Sequence, residues 1–230
     1  MREQIQHLRA VYDTREPAGT DTWNPVFNEI ELWHRVRLLL EATYAFKMLQ
    51  KNLKTLTVLD VGAGVGRSSR LLVELGVMPH NIVSIDLRAD ALIHAKKLNP
   101  AINTRALHGL EDWPKEKFDL CIQCTAFSSI PGEQLRQNTA KLMQQSLVPN
   151  GYIFWWDCLS GNDFAGGGQL VPEKLFGTNK ALYRREVSLY PSFTEAALSL
   201  PRARRYMQKL LGWIPTNKTH LCALYGAGKE

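Results

Sequence analysis

From residue 57 onward, short apolar runs alternate with amphipathic stretches, and this alternation predicts strands separated by helices. The strand candidates are Thr57–Val61, Asn81–Asp86, Ile102–Leu107, Phe118–Gln123 and Tyr152–Asp157. Helical periodicity lies between them, over Arg67–Leu75, Ala89–Leu98 and Gln134–Ser146. Because a strand–helix–strand unit places its strands in parallel, the pattern predicts an α/β fold built on a parallel sheet.

The two ends of the chain depart from this alternation. Tyr12–Trp23 is rich in Gly, Pro, Thr and Asp and predicts a loop. Asn24 and Pro25 then have the residue types of an N-cap and a first helical position, so we expect a helix from there to about Gln50. The last fifty residues predict two strands and a helix, at Arg185–Tyr190, Thr219–Tyr225 and Phe193–Leu211.

A glycine-rich turn follows the first predicted strand. The segment Asp60–Gly66 reads D-V-G-A-G-V-G, and its glycines allow a tight turn that a ligand can approach closely. The dinucleotide fingerprint G-x-G-x-x-G/A fails, because its third small residue would fall on Arg67. Asp86 ends the second strand, where a carboxylate can accept hydrogen bonds from both hydroxyls of a ribose. Together these features predict a nucleoside ligand other than a dinucleotide.

These motifs resemble those of class I S-adenosylmethionine (SAM)-dependent methyltransferases. Asp60–Gly66 is similar to their D-x-G-x-G-x-G motif, and Asp86 matches their ribose-binding acid. Phe118–Leu120 is similar to the start of their fourth strand, and Leu147–Gly151 to the turn before their fifth. The resemblance covers about Thr57 to Asp157.

The resemblance implies a Rossmann-like fold with helices on both faces of a seven-stranded, mostly parallel sheet whose last strand is antiparallel. It implies a single domain in which residues 1–51 form an N-terminal lid and helix and residues 52–230 bind SAM. The implied cofactor-binding residues are Asp60, Gly62, Ala63, Gly64, Gly66, Asp86, Leu87, Gly109, Leu110, Glu111 and Gln123.

Two positions depart from the family pattern. Relatives commonly carry Asp where this chain has Gly109, so the adenine amino group could be bound by Glu111 or by backbone carbonyls. Many small-molecule methyltransferases have a Glu-His pair where this chain reads Phe127-Ser-Ser-Ile130. Neither departure changes the predicted cofactor.

Candidate catalytic residues follow from the reaction that the family carries out. Methyl transfer aligns a nucleophile with an activated methyl group, and a general base helps when the nucleophile is a hydroxyl. The candidates are Asp157, His34 and His220. Asp157 could instead cap the following turn, and His34 could pack beside Trp33. Trp155 and Trp156 could be core residues or a stacking platform for a ring substrate.

The formal net charge is +6, and five arginines lie in the last fifty residues: Arg184, Arg185, Arg202, Arg204 and Arg205. They could bind a phosphate on the substrate, whereas a solvated helix face is the alternative for the last three. The N/D-P-P-Y/F signature of DNA amino-methyltransferases is absent from Gln123–Phe127, which argues against DNA as the substrate.

The remaining composition indicates an intracellular location. The mostly polar segment Met1–Ala10 lacks the apolar core of a signal peptide, and no apolar run reaches about eighteen residues, so we expect a cytoplasmic protein without a membrane span. Cys121 and Cys124 have CxxC spacing, but within a strand their thiols point to opposite faces. We therefore expect buried structural cysteines and no metal site.

The sequence thus predicts a SAM-dependent methyltransferase. O-methylation of a sugar, a glycan precursor or another small metabolite is favoured, because Phe127–Ile130, Trp155–Asp157 and Thr219–Leu221 also resemble methyltransferases of bacterial glycan and secondary-metabolite pathways. One alternative is an RNA or protein methyltransferase that docks its target on the C-terminal arginines. Another is a protein that binds SAM without catalysis.

Overall fold

A computed structural model describes residues 2–13, 29–161, 166–177, 181–188 and 218–226. The described helices are α1 (Arg2–Asp13), α2 (Glu29–Phe46), α3 (Arg67–Glu74), α4 (Ala89–Leu98), α5 (Glu133–Gln145) and α6 (Pro172–Phe176). The described strands are β1 (Val58–Val61), β2 (Ile82–Asp86), β3 (Asn103–Ala106), β4 (Phe118–Cys124), β5 (Leu147–Cys158), β6 (Ala181–Val187) and β7 (His220–Gly226).

The seven strands form one sheet in the order β3-β2-β1-β4-β5-β7-β6. Strands β1 to β5 are parallel, whereas β7 lies antiparallel between β5 and β6. This confirms the predicted sheet. The strand order reverses between β1 and β4, and ligands of open α/β sheets bind at the carboxyl ends of strands at such a point.

Alternating residues of the central strands pack into two cores, one on each face of the sheet. On β5, Trp156 lies in the core covered by α2 and α3, whereas Trp155 lies in the core covered by α5 and α6. Both indoles are fully buried, which confirms the core interpretation over a stacking platform. Helices therefore cover both faces, as predicted.

The CxxC pair follows the same alternation. Cys121 is buried in the core beside Trp155, whereas Cys124 packs against the core beside Trp156. Both thiols are free. Burial raises the pKa of both thiols above the ordinary range, so they are protonated at neutral pH.

Several predicted boundaries are wrong, including the end of α2, which lies at Phe46 and not at about Gln50. The polar first residues form α1, which continues through the start of the predicted loop; Ile5 and Leu8 are buried, and the Arg9 guanidinium donates to the carbonyl of Leu107 (2.8 Å). Strand β6 begins at Ala181 because it pairs along the length of β7. Strand β5 begins at Leu147, which pairs with Phe118.

The predicted helix start at Asn24 and Pro25 and the helix Phe193–Leu211 lie outside the described residues, as do Arg202, Arg204 and Arg205. The division at residue 51 stays a prediction. Within the described ranges, no helix is both long and apolar enough to cross a membrane.

Candidate functional site

A cavity of about 560 Å³ lies where the parallel strands end. Its lining includes the last residues of four strands, namely Val61, Asp86, Cys124 and Cys158. The volume falls within the range of roughly 300–1,000 Å³ that small-molecule sites occupy. Much of one wall is aliphatic and comes from the N-terminal helices, through Ile5 and Leu8 of α1 and Leu32, Val36, Leu38 and Leu39 of α2.

The predicted glycine turn forms part of the floor of this cavity. The N–H groups of Gly62 and Ala63 both donate to the carbonyl of Ile85 (2.9 and 3.1 Å), which ties the turn to β2. Gly64 lines the cavity at a φ of +53°, and a Cβ added there would meet no atom within 4 Å. The turn therefore leaves open space at Gly64 that a side chain would fill and a ligand can use.

Gly66 has a different role from the one expected. It precedes α3 at a φ of +75°, and a Cβ added there would lie 2.9 Å from the Cβ of Ala95 on α4. Gly66 is not among the residues that line the cavity. Its absent side chain lets α3 start close to α4 and shapes the turn indirectly.

Asp86 lies at the edge of the same turn. Its Oδ2 accepts a hydrogen bond from the Gly64 N–H (2.7 Å), and its Oδ1 accepts one from the Arg88 N–H (2.8 Å). Burial raises the pKa of Asp86, although these two backbone bonds act in the opposite direction. Each carboxylate oxygen can accept more than one hydrogen bond, so both retain capacity for ligand hydroxyls. Leu87 lines the cavity next to it.

Asp60 lies beneath the glycine turn and is fully buried. Its Oδ2 accepts hydrogen bonds from the hydroxyls of Ser68 (2.6 Å) and Ser69 (2.5 Å), whereas Oδ1 has no hydrogen-bond partner among the described residues. Burial raises the pKa of Asp60 to about 6, so the group is mostly ionised at pH 7. A negative charge under the turn favours a cationic ligand above it.

On the β3 side, three cavity-lining residues are apolar: Leu107, Leu110 and Trp113. Gly109 and Glu111 were expected to lie here but do not line the cavity. Glu111 is exposed, and its carboxylate occupies the space that a Cβ at Gly109 would need. A contact between Glu111 and an adenine amino group therefore stays a prediction that this arrangement of Glu111 does not support.

Gln123, another predicted cofactor-binding residue, is fully buried and does not line the cavity. Its Oε1 accepts a hydrogen bond from the Ala126 N–H (3.1 Å), and its Nε2 donates to the carbonyl of Trp156 (3.4 Å). Gln123 thus holds the loop after β4, whose Thr125, Ser128 and Ser129 do line the cavity.

Asp157 also acts on this loop. It is fully buried and does not line the cavity. Its carboxylate accepts hydrogen bonds from the N–H groups of Ser128 (3.1 Å) and Cys158 (2.8 Å). This geometry favours a positioning role under the loop over direct contact with a methyl acceptor.

Burial raises the pKa of Asp157 to about 6, which predicts a pH-dependent contribution to stability. A carboxyl group whose pKa is higher in the folded state stabilises the fold when protonated, and this contribution is lost as the pH rises through 6. From about pH 4 to pH 7, the free energy of unfolding of the wild type should therefore fall relative to that of Asp157→Asn, by up to about 3 kcal/mol. Urea unfolding of both proteins across this range measures the difference, and a pH-independent difference would contradict the prediction.

His34 lines the cavity, whereas His220 does not. The indole Nε1–H of Trp156 donates to Nε2 of His34 (2.8 Å), and the ring of His220 stacks on Trp156. Burial lowers the pKa of His34 to about 4 and that of His220 to about 3, so both imidazoles are neutral at pH 7. The lone pair of His34 Nε2 is already engaged by the indole.

The predicted phosphate-binding arginines that the structure describes lie away from the cavity lining, on β6. Arg184 forms ion pairs with Glu173 (3.2 Å) and Glu186 (3.1 Å). Arg185 lies 3.5 Å from the buried carboxylate of Glu41. Protein carboxylates therefore already pair with both guanidinium groups.

Most of the cavity wall that α1 and α2 contribute was not predicted from the sequence. The signal was present, because Ile5, Leu8 and Tyr12 have the spacing of one helical face. Thr125 and Ser129 were also not predicted, although they lie in the loop after β4, at the edge where ligands of parallel sheets bind.

Comparison with known proteins agrees with this geometry. Residues 58–151 match a family model described as a methyltransferase domain. No curated protein matches the sequence. The N-methyltransferase NodS from Bradyrhizobium japonicum, solved with S-adenosyl-L-homocysteine, has a similar structure, with a TM-score of 0.64 and 14% identity over 98% of this chain and 99% of that chain.

Two other solved structures show the same fold at low identity. A SAM-dependent methyltransferase from Mesorhizobium loti has a TM-score of 0.54 and 16% identity, over 81% of this chain and 97% of that one. Phosphoethanolamine N-methyltransferase 2 from Haemonchus contortus, in complex with SAM, has a TM-score of 0.53 and 12% identity, over 91% of this chain and 59% of that chain.

Proposed function

We propose that this chain, whose residues 58–151 match a family model described as a methyltransferase domain, transfers a methyl group from SAM to a small metabolite, with an oxygen atom as the favoured acceptor. The observation that carries the proposal is the unit formed by Gly64 and Asp86 at the strand ends. It combines an open backbone position with a carboxylate that a backbone N–H holds in place.

The residues around this unit fit the parts of SAM. Asp86 would accept hydrogen bonds from the two ribose hydroxyls, and the apolar side chains of Leu107, Leu110 and Trp113 would pack against the adenine ring. The ionised Asp60 beneath the glycine turn would favour the positive charge of the sulfonium and amino groups. When bound, SAM supplies a methyl group that its sulfonium activates for displacement.

The acceptor would bind over the ends of β4 and β5. Thr125, Ser128 and Cys158 line this part of the cavity, and Leu38 and Leu39 contribute aliphatic surface from α2. Holding a nucleophile in line with the methyl group supplies much of the rate of such a displacement. This lining favours a metabolite with an apolar body over an unsubstituted sugar, because sugar hydroxyls would lie against aliphatic side chains without partners.

An amine is the second candidate acceptor. Its support is that NodS, which shares the fold over 98% of this chain, is named an N-methyltransferase. An RNA or protein target receives no support from Arg184 and Arg185, because both already pair with glutamates.

Transfer of a labelled methyl group from SAM into a fractionated cell extract tests this proposal. We expect label in the small-molecule fraction, at a rate that falls strongly with Asp86→Asn. Mass spectrometry of the labelled product then distinguishes an O-methyl from an N-methyl group. Label in precipitated RNA or protein, or no enzyme-dependent label, would contradict the proposal.

A further inference from the structure

The Nε2 nitrogen of His34 is engaged by a buried indole. Nε2 lies 2.8 Å from the indole Nε1 of the fully buried Trp156. An indole N–H can only donate a hydrogen bond, so Nε2 must be the unprotonated, accepting nitrogen. In the neutral imidazole the proton then resides on Nδ1.

The indole that sets this tautomer is itself held in place. Trp156 is fully buried, and the ring of His220 stacks on it at a centroid distance of 5.3 Å and an angle of 29°. His220 in turn lies within hydrogen-bond reach of the Cys158 thiol (3.5 Å) and the Thr219 hydroxyl (3.0 Å). The ring of His34 also contacts both His220 and Trp156, at centroid distances of 5.6 and 5.7 Å. The contacts with Trp156 and His220 therefore fix the orientation of the His34 ring.

The strand order separates His34 from Asp86, the carboxylate proposed to bind the ribose. Asp86 ends β2, whereas Cys158, which contacts the cluster around His34, ends β5. Strands β1 and β4 lie between them, so three interstrand spacings of about 4.8 Å put the two ends roughly 14 Å apart. If the nucleoside binds at Asp86, the space beside His34 is left for the acceptor.

The polar groups that line this second end are mainly donors or neutral hydroxyls, and the Asp157 carboxylate beneath them is engaged by the N–H groups of Ser128 and Cys158. His34, Ser128 and Ser129 line it, whereas the two carboxylates in the described lining are Asp86 and Glu74. Asp86 belongs to the β2 end, and Glu74 lies 3.9 Å from Arg35.

We infer that Trp156 is a positioning residue that fixes His34 as the Nδ1–H tautomer, so that His34 donates a hydrogen bond to an oxygen of the methyl acceptor. This inference rests on the proposed function, because that function assigns the second end of the cavity to the acceptor. It replaces the predicted role of His34 as a general base, since its basic nitrogen is occupied. This oxygen accepts hydrogen bonds but cannot donate them, as in a carboxylate or a carbonyl group. An ammonium group at this position is disfavoured.

Nitrogen-15 NMR of the imidazoles tests the inferred tautomer of His34 on the wild-type protein. The resonances of His34 are assigned by their loss in His34→Gln. We expect Nδ1 to carry the proton in the wild type and a large fraction of the Nε2–H tautomer to appear in Trp156→Phe, which removes the indole N–H. A wild-type His34 protonated on Nε2 would overturn the inference without the need for any variant.

Trp155→Phe provides a matched control. Trp155 is the preceding residue on β5 and equally buried, but it faces the other core, and its Nε1 has no hydrogen-bond partner among the described residues. We expect this variant to leave the His34 tautomer unchanged. A change of equal size in both variants would indicate a general loss of packing and would contradict a specific role for Trp156.

Binding of three small probes of similar shape tests the inferred hydrogen bond from His34 to an oxygen of the methyl acceptor. With S-adenosylhomocysteine present at saturation, benzoate should bind more tightly than benzamide, and benzamide more tightly than benzylamine. Trp156→Phe should weaken the binding of benzoate by roughly 10-fold, which corresponds to one hydrogen bond to a charged group, whereas Trp155→Phe should leave it unchanged. Preference for benzylamine, or no benzoate binding up to roughly 10 mM, would overturn the assigned acceptor chemistry.

The same samples distinguish failure of this inference from failure of the proposed function. If the wild type binds S-adenosylhomocysteine but His34 is the Nε2–H tautomer, the inference fails and the function stands. If the wild type binds neither S-adenosylhomocysteine nor SAM, the proposed function fails whatever the tautomer of His34.

Discussion

Replacing Asp86 by Asn is expected to weaken SAM binding by roughly 100-fold, because hydrogen bonds between the carboxylate and both ribose hydroxyls are lost or weakened. The substitution also acts on the turn. Both oxygens of Asp86 accept backbone N–H groups, from Gly64 and Arg88, and the amide of Asn can accept only one of them without placing two donors together. Isothermal titration calorimetry measures the affinity directly.

Asp90→Asn is the matched control for this prediction. Asp90 lies four residues further along, in the first turn of α4, with 56% of its side chain exposed, and it forms an ion pair with Arg88 (2.6 Å). We expect this variant to bind SAM with nearly wild-type affinity. Equal affinities for the two variants would show that Asp86 does not contact the cofactor.

Replacing Gly64 by Val is expected to abolish measurable SAM binding while the protein remains folded. The valine side chain would fill the open space above the turn, at a position that lines the cavity. The positive φ of +53° also destabilises any residue with a Cβ, by roughly 1–2 kcal/mol. The two effects must be separated, because a destabilised protein also binds less ligand.

Gly177→Val separates these effects. Gly177 ends α6 at a φ of +61°, a Cβ added there would also meet no atom within 4 Å, and the residue does not line the cavity. Thermal unfolding should therefore show a similar loss of stability in both variants, whereas only Gly64→Val should lose SAM binding. Wild-type affinity in Gly64→Val would rule out the glycine turn as part of the cofactor site.

The central sheet could be predicted from the sequence because β1, β2, β4 and β5 are largely buried apolar runs, each followed by an amphipathic helix or a turn signal. Helix α4 was predicted at the bounds the structure has, Ala89–Leu98. The position of β6 could not be predicted, because an edge strand such as Ala181–Val187 is half-exposed and mixed in polarity. Helix α1 was not predicted, although Ile5, Leu8 and Tyr12 have helical spacing, because the segment is mostly polar and its contacts, such as the bond between Arg9 and Leu107, are with distant residues.

Some residues of the candidate site could likewise be predicted from the sequence, and others could not. Gly62, Gly64 and Asp86, which line the cavity, could be selected from the sequence because the family motif places particular residue types at fixed positions after β1 and β2. Of the acceptor end only His34 was predicted, because the rest of its lining comes from α2 and the β4 and β5 loops, which are far apart in the chain. Asp157 shows the remaining difficulty. A carboxylate at the end of a strand can either contact a substrate or bind backbone N–H groups, and the fold determines which.

Calorimetric titration of the purified protein with SAM tests the central claim most directly. The structure predicts saturable binding at one site per chain, with a dissociation constant below about 1 mM, competition by S-adenosylhomocysteine and strong weakening in Asp86→Asn. A folded wild-type protein that shows no saturable binding of SAM at about 1 mM would contradict the assignment of the cavity as a methyl-donor site.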